Sequence, residues 1–450
     1  MADNKWLAVT ALSFSLSLTA CPAGDGGDEA IPSDEEGDPG DDDDDDDDEL
    51  DNDQAQCGER LTADASDEEL AINRRADLDV ATALLAELGG DEANVLLSPY
   101  SLRTAFGQVY GGSQGASREE IEQVLGFTEL GDRTHDVLNT VTQALESRNA
   151  EETESSPELV VRPINRSFLD TGYESAVNDD WLTLMQESYG ACLEVFDMNV
   201  DQPATLEHVN GWVSDQTRGL IPNLVKSLPD YVALIVVNAL YFKASWQTPF
   251  EEGLTTDAAF ATWSGGSAQV DMMRAPFNEG QYGAGEGWQA VTIPYSDWRL
   301  DMLVILPDAG TEATFEAGLD GGVLEDVFDS LQPTTVDLSM PKFDLKSTWS
   351  LRSALESLGM PSAFVNAQDF DPIAQGMEPI YQVFHDVAII IDEKGTEAAA
   401  ATAVVFGEDG GEDPVAEATV VVDHTFYLAI RDREAGAVMF FARIGDPSDG

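Results

Sequence analysis

Between residues 67 and 90 the apolar positions recur at helical spacing, with Leu70, Leu78, Leu84, Leu85 and Leu88 marking one face. That pattern predicts an amphipathic helix. A second helix is expected over 98–110. It opens on Ser98-Pro99, a capping side chain followed by a residue whose fixed φ suits a first turn. Residues 118–125 read as a third. Further along, the pattern changes to short apolar runs of strand length at 235–242, 300–306, 383–391, 419–422, 426–430 and 438–444. Helices dominate the first third and strands the rest, and no fixed-period repeat is visible. The expectation is an α+β fold.

One stretch fits none of these patterns. Glu393-Lys394-Gly395-Thr396-Glu397-Ala398-Ala399-Ala400-Ala401-Thr402 follows a strand-like run and holds one Gly and four consecutive Ala. A strand points alternate side chains to opposite faces. Counted from Thr396, one face would carry Thr396, Ala398, Ala400, Thr402, Val404 and Phe406, all uncharged, the first four small. Such a face can enter a sheet without obstruction. Short Ala and Thr side chains also lose little by remaining in water. A segment suited to both states reads as a bistable element.

The chain has 450 residues, enough for one large domain or two to three ordinary ones, and its 43% hydrophobic content is that of a globular protein. Its charge is unusual. Of the formal net charge of −64, residues 21–53 hold 18 acids and no base, residues 1–20 are neutral, and the remainder carries −46. Nucleic acid and anionic membrane surfaces are excluded as partners, because both require clustered Lys and Arg.

Residues 6–18 are mostly apolar, preceded by Lys5 and followed by Thr19-Ala20-Cys21. The run is too short to span a bilayer and reads as a secretory signal over 1–20. Leu18-Thr19-Ala20-Cys21 resembles a bacterial lipobox, which would make Cys21 a lipidated N-terminus. The alternative is a free Cys beside an ordinary cleaved signal. The chain is expected to be exported, as a cell-envelope lipoprotein or an extracellular protein. Three Cys, at 21, 57 and 192, argue against a disulfide framework, though a Cys57–Cys192 pair stays open. Residues 21–66 read as a tether. Their Gly, Pro, Ser and acid content, including an unbroken Asp run over 41–48, offers almost nothing to bury. A calcium loop is not indicated, since the spacing of its ligands is missing.

Gly111-Gly112-Ser113-Gln114-Gly115 matches G-x-S-x-G by letter. A nucleophile elbow requires a strand before the turn, and here a helix precedes it. His135, His208, His385 and His424 carry no catalytic or metal-binding spacing. No metal or cofactor is expected.

The bistable stretch resembles the hinge of the serpin reactive-centre loop, and family-like blocks follow in order along the chain. These are Asn94-Val95-Leu96-Leu97-Ser98-Pro99-Tyr100-Ser101-Leu102, Val209-Asn210-Gly211-Trp212-Val213 through Gly219-Leu220-Ile221, and Val237-Asn238-Ala239-Leu240-Tyr241-Phe242-Lys243 through Trp246. Val270-Asp271-Met272-Met273, Ile293-Pro294-Tyr295, Met340-Pro341-Lys342-Phe343 and Leu358-Gly359-Met360 come next. Asp423-His424-Thr425-Phe426 and Gly445-Asp446-Pro447 close the series.

The resemblance implies a single serpin domain over 67–447, with about nine helices around three β-sheets and an exposed reactive-centre loop region over 393–422. It implies a suicide substrate and not an enzyme. The target serine protease, or a cysteine protease, cleaves the loop, and the acyl-enzyme is trapped as the loop inserts into the central sheet. By the same resemblance Ser98, Ser101, Asn238 and His385 match the shutter beneath the inserting strand, and Trp246 matches the breach where insertion begins. The common register places the scissile bond after Asp409, before Gly410. The acidic loop around it is longer than in a typical member, so Glu408, Phe406 and Val405 are further candidates. Asp409 or Glu408 would suit a protease with a basic specificity pocket, Phe406 a chymotrypsin-like enzyme and Val405 an elastase-like one. No Lys or Arg lies between Gly395 and Arg431, which disfavours trypsin-like targets. The expected assembly is a monomer that meets a membrane only through its lipid. Two alternatives remain: a non-inhibitory serpin acting as a binding protein, and a serine hydrolase using Ser113.

Overall fold

The computed structural model describes residues 60–153, 156–396 and 415–449. Expectations that fall on the signal, on residues 21–59 of the tether with Cys21 and Cys57, and on residues 397–414 lie outside these. The tether expected to run to residue 66 ends earlier: Arg60 pairs with Glu146, and the Leu61 N–H donates to the Glu187 carbonyl at 2.9 Å, so these residues are bonded to the folded domain. Among the described residues there are nine α-helices and two hydrogen-bonded sheets. None of the helices is long and apolar enough to cross a membrane.

The first helix, Asp67–Leu88, starts at a capping box in which Ser66 and Glu69 satisfy each other's backbone N–H groups. It stops where Gly89 and Gly90 follow. Helix Pro99–Gly111 begins as expected, with the Ser98 hydroxyl accepting from the Ser101 N–H. The third helix, Gly115–Val124, starts earlier than the expected residue 118. Its cap comes from far away in sequence: Asp369 accepts from the Ser117 N–H at 3.0 Å and the Ser117 hydroxyl at 2.8 Å.

The larger sheet has nine strands. Its long strand Ser267–Gly285 shifts register between Ala275 and Asn278. The first part pairs with Thr256–Ala261 and the second with Trp288–Pro294, while Gln332–Pro341 runs beside both. With the smaller sheet, this gives three sheet portions in two hydrogen-bonded networks. Strands Leu300–Pro307, Phe426–Asp432 and Ala437–Ile444 are buried along their whole length. They read as continuous apolar runs for that reason. The charges they do carry are paired: Arg431 with Asp301 at 2.7 and 3.1 Å, and Arg148 with Asp432 at 2.6 and 3.2 Å.

The smaller sheet has six strands and positions the candidate site. Its order is Phe343–Ser350, Phe384–Ile391, Gly395–Thr396, Leu234–Ser245, Val160–Asp170 and Cys192–Phe196. One face packs on the larger sheet through Leu240, Phe242, Val387 and Ile389. The other packs under helix Gln202–Gln216 through Val237, Ala239 and Tyr241. Along strand Leu234–Ser245 the two sets, Leu240 and Phe242 against Val237, Ala239 and Tyr241, occupy alternate positions, as a pleat requires.

Candidate functional site: the turn after strand Phe384–Ile391

The site is built where strand Phe384–Ile391 ends. The Asp392 carboxylate accepts from the Lys394 and Gly395 N–H groups at 2.7 and 3.0 Å, forming an Asx-type turn. The chain reverses, and Gly395–Thr396 enters the sheet as a two-residue strand between Ile391 on one side and Ala244 and Ser245 on the other. Gly395 is needed for close approach. A Cβ there would run into the Ala244 carbonyl oxygen and the Ser245 Cα. No left-handed backbone is involved, so the glycine's role is one of space and not of the conformational freedom a hinge glycine is usually credited with.

Both flanking strands run antiparallel to Gly395–Thr396 and are therefore parallel to each other. Beyond Ile391 and Ala244, no ladder among the described residues joins them.

Three groups hold the turn. The Trp246 backbone N–H donates to the Lys394 carbonyl at 2.8 Å, and its indole N–H donates to the Asp392 carbonyl at 2.9 Å. The indole stacks on Tyr295 with centroids 4.6 Å apart. Tyr295 is buried, and its hydroxyl lies 2.6 Å from the Thr396 hydroxyl. Burial pushes the Tyr295 phenol well above its ordinary range, so it stays neutral and keeps that hydrogen bond. The Glu393 carboxylate accepts from the Thr255 hydroxyl at 2.8 Å and lies 3.5 Å from Lys342 Nζ. Burial works to raise the Glu393 carboxyl, yet the Thr255 hydroxyl, the backbone and Lys342 together hold it below its ordinary value. Lys394 faces Glu252 at 3.9 Å.

The residues matched to the shutter meet further down the same two strands. The Ser98 N–H donates to His385 Nε2 at 3.0 Å. That nitrogen is thus unprotonated, and burial lowers the His385 pKa to about 4. The Ser101 N–H donates to the Ser98 hydroxyl at 3.3 Å. Asn238 donates to Asn165 Oδ1 at 2.6 Å, and Gln108 donates to the same oxygen at 3.1 Å. Ser101, Asn238 and His385 line one cavity of about 190 Å³. Glu397, Ala398, Ala399, Ala400, Ala401 and Thr402 lie outside the described residues, as do the scissile candidates Val405, Phe406, Glu408, Asp409 and Gly410.

Asp392, Thr255, Gln108 and Asn165 are components that the sequence did not single out. Only Asp392 carried a local signal, an Asp just before a turn containing Gly. Tyr295 stood in the quoted Ile293-Pro294-Tyr295 block without a role. Ser113 sits between two helices, and its hydroxyl donates to the Tyr110 carbonyl at 2.9 Å. The strand before an elbow is absent at that point. His135 instead bonds the Tyr189 hydroxyl at 2.6 Å. No cluster of potential metal ligands occurs among the described residues.

Residues 75–447 match the model of the serpin (serine protease inhibitor) family. A serpin-like protein of Thermococcus kodakarensis is 32% identical over 368 residues, which is 82% of this chain and 84% of that one. Human antithrombin-III is 27% identical over 373 residues, 81% of this chain and 78% of its own. Among solved structures, the native thermophilic serpin tengpin aligns with a TM-score of 0.75 at 24% identity, covering 87% of this chain and 97% of its own. Thyroxine-binding globulin complexed with thyroxine aligns with a TM-score of 0.71 at 23% identity, covering 85% of this chain and 100% of its own. The chain belongs to the serpin family, whose members are in the main inhibitors of serine proteases.

Proposed function

We propose that this serpin is an inhibitor of serine proteases that acts as a suicide substrate. The observation that carries the reading is the seating of Gly395–Thr396 between Leu234–Ser245 and Phe384–Ile391. Continued without a bulge, that register sets Ala398 between Ile389 and Phe242, Ala400 between Val387 and Leu240, and Thr402 between His385 and Asn238. The small face of the loop then meets the buried face of the sheet. Each further residue exchanges water for backbone partners on both sides, and a strand bonded on both edges is worth more than an exposed loop.

The protease supplies the covalent chemistry. Its serine attacks the scissile carbonyl, the amine leaves, and an acyl-enzyme results. Insertion then carries the acyl-enzyme away before water releases it. The scissile bond is proposed after Asp409 or Glu408, for a protease with a basic specificity pocket, with Phe406 and Val405 as the other positions. The protein would be exported and held by lipid on Cys21, the residues up to 59 serving as a spacer.

Thr396→Arg tests the reading. It would place a charge beside Tyr295 where the wild-type hydroxyl is buried. An unpaired buried charge costs several kcal/mol, so trapped protease should fall at least about 10-fold while cleavage of the loop continues. Thr396→Ser keeps the hydroxyl and should still inhibit. Undiminished inhibition by the Arg variant contradicts insertion.

A further inference from the structure

We propose that Lys226 and Asp386 are positioning residues whose ion pair straps the two halves of the smaller sheet together beyond Gly395–Thr396, and that this strap must let go before a strand can enter there. The strap stands on the structure alone; its release during loop insertion rests on the inhibitor reading above.

Strands Leu234–Ser245, Val160–Asp170 and Cys192–Phe196 form one ladder, and Phe343–Ser350 and Phe384–Ile391 form another. Among the described residues only the two-residue strand Gly395–Thr396 joins them. Helix Gln202–Gln216 belongs to the first half. Its Val209 and Val213 share one buried cluster with Val237, Ala239 and Tyr241, and His208 Nε2 lies 2.7 Å from Glu194 Oε1. The segment after the helix, 217–233, is fixed to that same half. The Asn210 side chain exchanges two hydrogen bonds with the Val225 backbone at 2.8 and 2.9 Å, and Arg218 donates to the Tyr241 hydroxyl at 3.4 Å.

Two lysines carry this segment across to the other half. Lys226 Nζ donates to Asp386 Oδ2 at 2.8 Å, and Lys346 Nζ donates to the Leu220 carbonyl at 3.2 Å. The Asp386 side chain is wholly buried, whereas Lys226 is 37% exposed. The second Asp386 oxygen has no partner among the described residues, so Lys226 alone compensates a buried charge, and losing it is costly. Permanent ties in this molecule are made differently. Arg148–Asp432 and Arg431–Asp301 are two-pronged contacts. A single ammonium on a flexible stem holds less firmly than such a fork. An entering strand would stand about 4.8 Å from each neighbour, with half its side chains directed to the helix side. That is the side the segment covers on its way from one neighbour to the other, so the contact to Asp386 has to yield.

Hydrogen exchange on the full, uncleaved chain tests the strap. Asp386→Asn keeps the side chain's shape, removes the pair and leaves Lys226 free to turn to water. Backbone amides of 384–390 should then exchange about 3- to 10-fold faster, while those of the buried strands 300–307 and 437–444 stay as in wild type. Lys226→Arg keeps the charge and should remain within about 2-fold of wild type. If Asp386→Asn fails to fold, Lys226→Gln removes the same pair from its exposed side. Unaltered exchange at 384–390, or an equal rise in all three regions, overturns the strap. Loop entry, timed by quenching adduct formation under saturating glutamyl-specific protease, should be at least about 2-fold faster in Asp386→Asn. Entry at an equal or lower rate overturns the release. Absence of any adduct in both wild type and variant sinks the inhibitor reading and the release with it, while the strap still stands or falls on exchange.

Discussion

His385 occupies a position where one proton matters. Its Nε2 accepts from the Ser98 backbone, and burial holds its pKa at about 4 against an ordinary value of 6.5. Protonation would cost that hydrogen bond and bury a charge. Because the unfolded chain takes up the proton at higher pH, it binds more protons than the folded chain between about 6.5 and 4. The His385 contribution is therefore intact above about 6.5 and is lost as pH falls toward 4. His135, also lowered to about 4 by burial, acts in the same direction. Protonation of the many carboxylates relieves repulsion over part of this range, so the comparison must be between variants. His385→Gln should show a shallower loss of melting temperature between pH 7 and pH 4.5 than wild type. Parallel curves would remove His385 from the account. At Gly395 the deciding factor is space: a Gly marks either freedom or contact, and only the neighbouring Ala244 carbonyl shows which.

At the scale of elements, the buried strands of the larger sheet and the capped helix Pro99–Gly111 were legible because their signals are local. Strand Phe343–Ser350 and the first part of Ser267–Gly285 carried no apolar run because their buried residues alternate with more exposed ones. The start of Gly115–Val124 was hidden because its cap, Asp369, comes from a distant segment. Within the site, Gly395, Thr396 and Trp246 could be picked out from residue order alone. The Tyr295–Thr396 and Asp392–Trp246 contacts could not, since they exist only once three strands meet. Gly395–Thr396 is a strand of two residues beside partners of twelve and eight. Lengthening it by about ten residues would add on the order of 10 hydrogen bonds worth about 1 kcal/mol each net. Loop-cleaved protein should accordingly melt at least about 10 °C above the intact chain. An unchanged melt by scanning calorimetry would show that the loop stays out of the sheet.

The whole molecule is governed by its charge. Outside residues 1–53 the chain still carries −46, and many of its few Arg side chains are engaged in ion pairs such as Arg103–Asp77 and Arg431–Asp301. The remaining carboxylates repel one another, and salt shortens the range of that repulsion from about 10 Å at 0.1 M to about 3 Å at 1 M. Melting temperature should therefore rise between 0.05 and about 1 M KCl. A fall would mean that the ion pairs outweigh the repulsion. The same field would repel acidic protease surfaces and favour targets with a basic binding cleft, in keeping with an acidic scissile position.

The central claim is that a protease which cuts the loop is captured by it. The direct measurement is incubation of the protein with glutamyl-specific, chymotrypsin-like, elastase-like and subtilisin-like proteases, read by denaturing gel and intact mass. The account predicts a boiling-resistant 1:1 adduct with a glutamyl-specific enzyme and a released C-terminal peptide that begins at Gly410 or Asp409. Complete cleavage by every protease, with no adduct and with the enzymes still active, would contradict it.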